Sequence, residues 1–298
     1  MKLLLNIDGG GVRGYFPLLI LNYIEKKINK KISDIFDYYS GVSASSIILA
    51  GLLTKYSIDD TIQLFKNVSK NIFYRSYFHI IKSGSGLFDS KYTDYYINIE
   101  LQKYFNDIKL TDIKKPFTIL TYDIQNSSPK CWHSHNEKHD HHLWEIIRSS
   151  TAAPVYFPPY KLNEHVLIDG GVVANNLSEF IFTHALVHFG PEEEFYQISI
   201  GTGNYNPTPN SIPTGLWSWS GNLINVFFNA SSTYEMNTLK KLSKIEKLKH
   251  FHRLDINLNQ DILLDDYTAF DKMDIIFQQW LTTNQTLLDQ ICFELSQK

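Results

Sequence analysis

Apolar residues run from Leu3 to Leu5 and resume at Ile7, a short continuous stretch that predicts a buried strand. After a glycine turn the spacing changes: Leu18, Leu21, Ile24 and Ile28 recur every third or fourth residue, predicting a helix over 17–28. The alternation then repeats. "IFDYYSG" reads as a second strand that passes through Ser43 directly into the helical "SIILAGLLTKY". Helices are predicted over about 59–73 and 91–105, followed by a buried strand "FTILTYDI". A helix "LWEIIRSS", a short strand "VLI" ending at Asp169, and a helix over 177–188 come next. The strand "YQISIG" precedes long helical patterns over 216–242 and 272–295.

Strands alternating with helices predict an α/β fold, a three-layer α/β/α sandwich with a mainly parallel central sheet. Only "NYNPTPNSIPTG" is dense in turn residues, and no linker divides the chain. The expected organisation is a single domain over 1–298, with 204–298 a mostly helical C-terminal part.

Composition narrows the function classes. With 43% hydrophobic side chains in 298 residues, the chain can bury a large core and is not of the disordered class. A net charge of −3 gives no electrostatic reason to expect a nucleic acid polymer as partner. Cys131 and Cys292 cannot build a disulfide framework, so folding in a reducing, cytoplasmic compartment is expected. The leucine run at the N-terminus is too short for the core of a signal peptide, and no apolar stretch reaches the roughly 20 residues that span a bilayer. Membrane contact is therefore expected to be peripheral, with export by a route that reads no cleavable signal left open.

The glycine turn "DGGGVRG" has two readings. Gly9, Gly11 and Gly14 fit the dinucleotide pattern G-x-G-x-x-G, but that site needs an acidic residue closing the second strand. Asp34 and Asp37 precede that strand's end, and "YYSG" closes it instead. The second reading starts from "GVSAS", where Ser43 follows Gly41 by two residues on a strand-to-helix turn, the geometry of a nucleophile elbow. A serine needs a base to take its proton. Asp169, at a strand end and followed by Gly170 and Gly171, is the candidate. Gly9, Gly10 and Gly11, together with the N–H of Ala44, can then supply donors to an oxyanion.

Five blocks, "DGGGVRG" at Asp8–Gly14, "GVSAS" at Gly41–Ser45, "STAAPVYFPP" at Ser150–Pro159, "DGGVVANN" at Asp169–Asn176 and "SIGTG" at Ser199–Gly203, resemble the patatin-like phospholipases and lipid acyl hydrolases in content and order. The likeness is to bacterial members, which include toxins, effectors and nucleotide-activated antiviral phospholipases. The resemblance implies a Ser–Asp dyad without histidine, with Ser43 as nucleophile, Asp169 as general base and the turn at Gly9–Gly11 as oxyanion hole. It also implies an acyl-enzyme resolved by water and no metal or organic cofactor. Membrane phospholipid is the implied substrate, and an activating ligand or protein is compatible with it. Two positions depart from the family's pattern: Ser45 replaces the elbow's last glycine, where it could crowd the turn, and Leu177 replaces the proline that usually follows the Asn-Asn pair. A lipid-binding or signal-binding module of the same fold, without turnover, is the alternative.

Other features keep two readings each. Ser40, Ser45 and Ser46 are fallback nucleophiles, and Asp169 could be an ordinary turn or capping residue. Arg13 could orient the glycine turn or meet a phosphate. The run "CWHSHNEKHDHH" invites a zinc site or a histidine base, but its spacing matches no standard closed site and a solvated loop is expected. Trp217, Trp219, Leu223, Ile224, Phe227 and Phe228 read either as core or as an interfacial lip.

Overall fold

Leu3, Leu5 and Ile7 of the first strand enter one apolar cluster, while Leu4 between them enters another. A strand buried on both faces needs helices on both sides, and this alternation sets the layering. The computed structural model describes residues 1–74, 79, 82–86, 88–205, 223–242 and 247–297.

Among the described residues eight strands form one sheet: β1 (Lys2–Ile7), β2 (Tyr38–Val42), β3 (Phe117–Asp123), β4 (Ser128–His133), β5 (Tyr160–Leu162), β6 (His165–Asp169), β7 (Phe195–Ile200) and β8 (Leu248–Leu254). The helices among the described residues are α1 (Tyr15–Ile28), α2 (Ile32–Ile35), α3 (Ala44–Leu53), α4 (Ile58–Ile72), α5 (Asp94–Phe105), α6 (Leu143–Ser150), α7 (Ser178–Phe189), α8 (Leu223–Leu242) and α9 (Phe270–Ser296). The larger cluster packs α1, α3, α4, α5, α6 and α9 on one face, and the smaller one sets Ile181, Phe182 and Ala185 of α7 and Leu239 of α8 against the other. This is the three-layer α/β/α sandwich, with β1, β2, β3, β7 and β8 parallel.

The other three pairings are antiparallel, and they decide where the chemistry sits. β4 follows one edge of β3 from Thr118 to Asp123. The remaining edge is shared. β2 takes its first half, with Val42 opposite Leu120, and β6 takes its end, with Asp169 opposite Thr121. β6 runs against β3, so the C-terminal ends of β2 and β6 meet head on. Asp169 lies at the strand end that its sequence predicts, and the antiparallel direction of β6 brings it to the end of β2.

Three strands lie outside the sequence expectation: β4, β5 and β8. The last of these lies within 204–298 and pairs with β7, so that part adds an edge strand to the sheet as well as helices. Trp217 and Trp219 lie outside the described residues, as do the side chains of Leu223, Ile224, Phe227 and Phe228.

Candidate active site

Ser43 sits between β2 and α3 with φ 58° and ψ −133°, a conformation that costs a non-glycine residue about 1–3 kcal/mol. Its N–H donates to Ser150 Oγ at 2.9 Å, and that hydroxyl donates to the Leu120 carbonyl at 2.7 Å. A residue from the end of α6 thus ties the strained backbone to β3. The fallback serines are engaged elsewhere: Ser40 Oγ donates to Asn6 Oδ1 at 3.0 Å and Ser46 Oγ to the Ser43 carbonyl at 2.5 Å. Ser43 Oγ interacts instead with the Asp169 carboxyl, without a hydrogen bond of normal geometry.

Asp169 is fully buried at the end of β6, where its N–H donates to the Ala152 carbonyl at 3.0 Å. Oδ1 accepts the Gly171 N–H at 2.8 Å, while Oδ2 is buried without a hydrogen bond of normal geometry. Burial pushes the carboxyl up to about 7, against the Ser43 side chain and the Gly171 N–H, which favour the ionised form. Gly170 has no room for a side chain, since a Cβ there would strike the Leu120 carbonyl carbon and oxygen.

The glycine turn lies beside Ser43: a Cβ on Gly9 would stand 3.1 Å from Ser43 Cβ. Gly11 has φ 55°, and a Cβ there would collide with the Leu264 carbonyl, whose oxygen accepts the Val12 N–H at 2.8 Å. The expected donors divide. The Gly9 N–H is committed to the Asn175 carbonyl at 3.1 Å, which corrects its expected place among the free donors. Those of Gly10, Gly11 and Ala44 carry no hydrogen bond among the described residues. Asn175 Nδ2 and Thr202 Oγ1 both donate to the Gly9 carbonyl, at 3.1 and 2.9 Å, and hold the turn from two sides. An apolar cavity of about 50 Å³ opens from Gly11, Ser43 and Ala44 toward Ile47, Phe65, Phe73, Tyr156, Phe157 and Leu264.

With this geometry in place, comparison with known proteins decides the family. Residues 5–181 match the family model described as patatin-like phospholipase. The chain belongs to the patatin-like phospholipase family. Patatin-like protein 4 of Arabidopsis thaliana is 26% identical over an alignment of 314 residues, covering 88% of this chain and 78% of the relative. Patatin-15 of Solanum tuberosum is 26% identical over 192 residues, covering 58% and 50% of the two chains. Among solved structures, VipD from Legionella pneumophila matches 93% of this chain and 67% of its own with a TM-score of 0.46 and 12% identity. Membership places the chain among lipid acyl hydrolases.

Both departures from the patatin-like pattern have a structural account. Ser45, fully buried, donates to the Val42 carbonyl and accepts the Val42 N–H, both at 2.8 Å. Its hydroxyl closes the elbow, and the glycine at 41 leaves it room. Leu177 uses the N–H that a proline lacks, donating to Asn6 Oδ1 at 3.2 Å.

The histidine run stands apart from this site. His133 and His135 stack near His184 and His188 of α7, with ring centroids 5.0 Å apart for His133 and His184 and 4.5 Å for His135 and His188. Among the described residues the run does not gather three ligand atoms at metal-binding separations. Arg13 is buried, and its side chain makes no hydrogen bond or ion pair among the described residues. The sequence reading missed Arg253 of β8, whose guanidinium donates to Asp8 Oδ1 at 2.9 Å and Oδ2 at 2.6 Å, and to Asp255 at 2.9 Å. Nothing in "LKHFHRL" pairs this arginine with Asp8, which lies far away in sequence.

Proposed function

We propose that this chain is a serine acyl hydrolase that cleaves acyl esters of membrane phospholipids through Ser43 and Asp169. The observation that carries the reading is the convergence of a strained serine and a buried, otherwise little-bonded carboxylate at the head-on meeting of β2 and β6. Asp169 takes the Ser43 proton as Oγ attacks the ester carbonyl. The N–H groups of Gly10, Gly11 and Ala44 stabilise the oxyanion, each such donor being worth about 2.7–4 kcal/mol of barrier. As the intermediate collapses, the leaving lysolipid oxygen receives the proton from Asp169. Water then attacks the acyl-enzyme, giving a proton to Asp169 that returns to Ser43 as the fatty acid departs. Catalytic pairs commonly have looser spacing before substrate arrives, which fits the lack of a normal hydrogen bond on Asp169 Oδ2.

A cavity of about 50 Å³ is narrow beside the ~300–1,000 Å³ of ordinary ligand pockets. The test is hydrolysis of phospholipid vesicles and of a soluble fluorogenic ester by the native chain, Ser43→Ala and Asp169→Asn. Release of fatty acid by the native chain alone supports the reading. Activity in both variants contradicts it, and vesicle binding without turnover by any of the three points to the binding module.

A further inference from the structure

β8 is the last strand of the sheet, and its alternate residues face opposite sides. Arg253 points toward Asp8 and Ser199, while His250 and His252 stand on the face covered by the end of α9. There they meet Glu294. We propose that His250, His252 and Glu294 form a binding site for a divalent transition-metal ion of the zinc type, which fastens α9 to the edge of the sheet.

One ligand atom from each of the three residues lies within 4.8 Å of the other two. His252 Nε2 and Glu294 Oε2 are 3.4 Å apart. Tetrahedral zinc with bonds of about 2.1 Å places its ligand atoms about 3.4 Å from one another, so this pair is already at ligand spacing. His252 Nε2 is a buried atom whose polar partner, the Glu294 carboxylate, does not meet it in a hydrogen bond of normal geometry. His250 is exposed, so it can turn the remaining distance and leaves a path by which an ion enters.

The surroundings hold these ligands as metal sites hold theirs. Tyr196 donates to Glu294 Oε2 at 2.7 Å and Gln290 Nε2 to Oε1 at 2.9 Å, orienting the carboxylate. Both imidazoles pack on the Tyr196 ring, with centroids 5.1 and 5.4 Å away. Two imidazoles and one carboxylate favour zinc over calcium or magnesium, and three protein ligands leave a fourth position for water. The site is separate from Ser43 and independent of the hydrolase reading.

The chain, stripped with chelator, is titrated with zinc chloride by calorimetry, and its melting temperature is read with and without the ion. Cobalt(II) substitution supplies a spectroscopic check through the visible bands of a tetrahedral ion. The expected result is about one ion per chain, a rise in melting temperature, and a loss of 10-fold or more in affinity for His250→Ala and for Glu294→Gln. The exposed position of His250 keeps its variant folded. Absence of zinc binding overturns the proposal, as does binding that survives in His250→Ala and Glu294→Gln. Loss of binding in His135→Ala/His188→Ala, with those two variants unaffected, moves the ion to the other histidine cluster and equally overturns it.

Discussion

Ser150 Oγ accepts the Ser43 N–H at 2.9 Å and donates its own O–H to the Leu120 carbonyl at 2.7 Å, so one buried hydroxyl bridges the elbow and β3. Replacing it leaves two backbone groups without partners, each worth about 1–3 kcal/mol when buried. Ser150→Ala is expected to lower stability by about 2–6 kcal/mol in urea denaturation. It should also lower kcat more than it raises KM, because the elbow's conformation is released while the cavity is untouched.

The clamp between Arg253 and Asp8 joins the edge of the sheet to the start of the glycine turn. Burial pushes the Asp8 carboxyl upward and the Arg253 charge pulls it down. Removing one partner of a buried pair costs about 3–5 kcal/mol, because the other charge is stranded. Arg253→Ala is expected to lose stability on that scale by chemical denaturation. Arg253→Ala combined with Asp8→Asn should recover part of the loss.

Asp169 links pH to both folding and turnover. Its carboxyl is raised to about 7, whereas an unfolded aspartate titrates near about 3.9. Between those values the folded chain binds the extra proton, so stability falls as pH rises through the window. Asp169→Asn lacks this penalty and should gain on the native chain by up to about 4 kcal/mol between pH 4 and 8, read from denaturation midpoints. Turnover runs the other way. The base must be ionised, so kcat/KM should rise with pH and level off above about 7.

Leu177 shows how a departure from the family's pattern can be absorbed. Because its N–H is used by Asn6 Oδ1, restoring the usual proline is expected to destabilise this chain by about 1–3 kcal/mol. A thermal melt of Leu177→Pro checks the sign.

The layering and the positions of Ser43 and Asp169 were legible because each rests on local pattern. Continuous apolar runs become strands buried on both faces, and "GVSAS" and "DGG" mark turns that small residues permit. What escaped either carries a mixed composition or depends on partners distant in sequence. β8 carries histidine, phenylalanine and arginine on both faces, and no one-sided apolar pattern announces it. β4 was hidden by its cysteine and histidine content, which drew a metal or loop reading away from a strand that pairs with β3. The commitment of the Gly9 N–H to Asn175 joins residues far apart in sequence, and neither "DGGG" nor "ANN" alone reveals it.

The central claim is that Ser43, and not another serine, carries the acyl group. The direct measurement is peptide mapping by mass spectrometry after treatment with a fluorophosphonate. The account predicts a single adduct on Ser43 that is lost in Ser43→Ala, slowed in Asp169→Asn and retained in Ser45→Ala. An adduct on Ser45, or labelling that persists in Ser43→Ala, would contradict it.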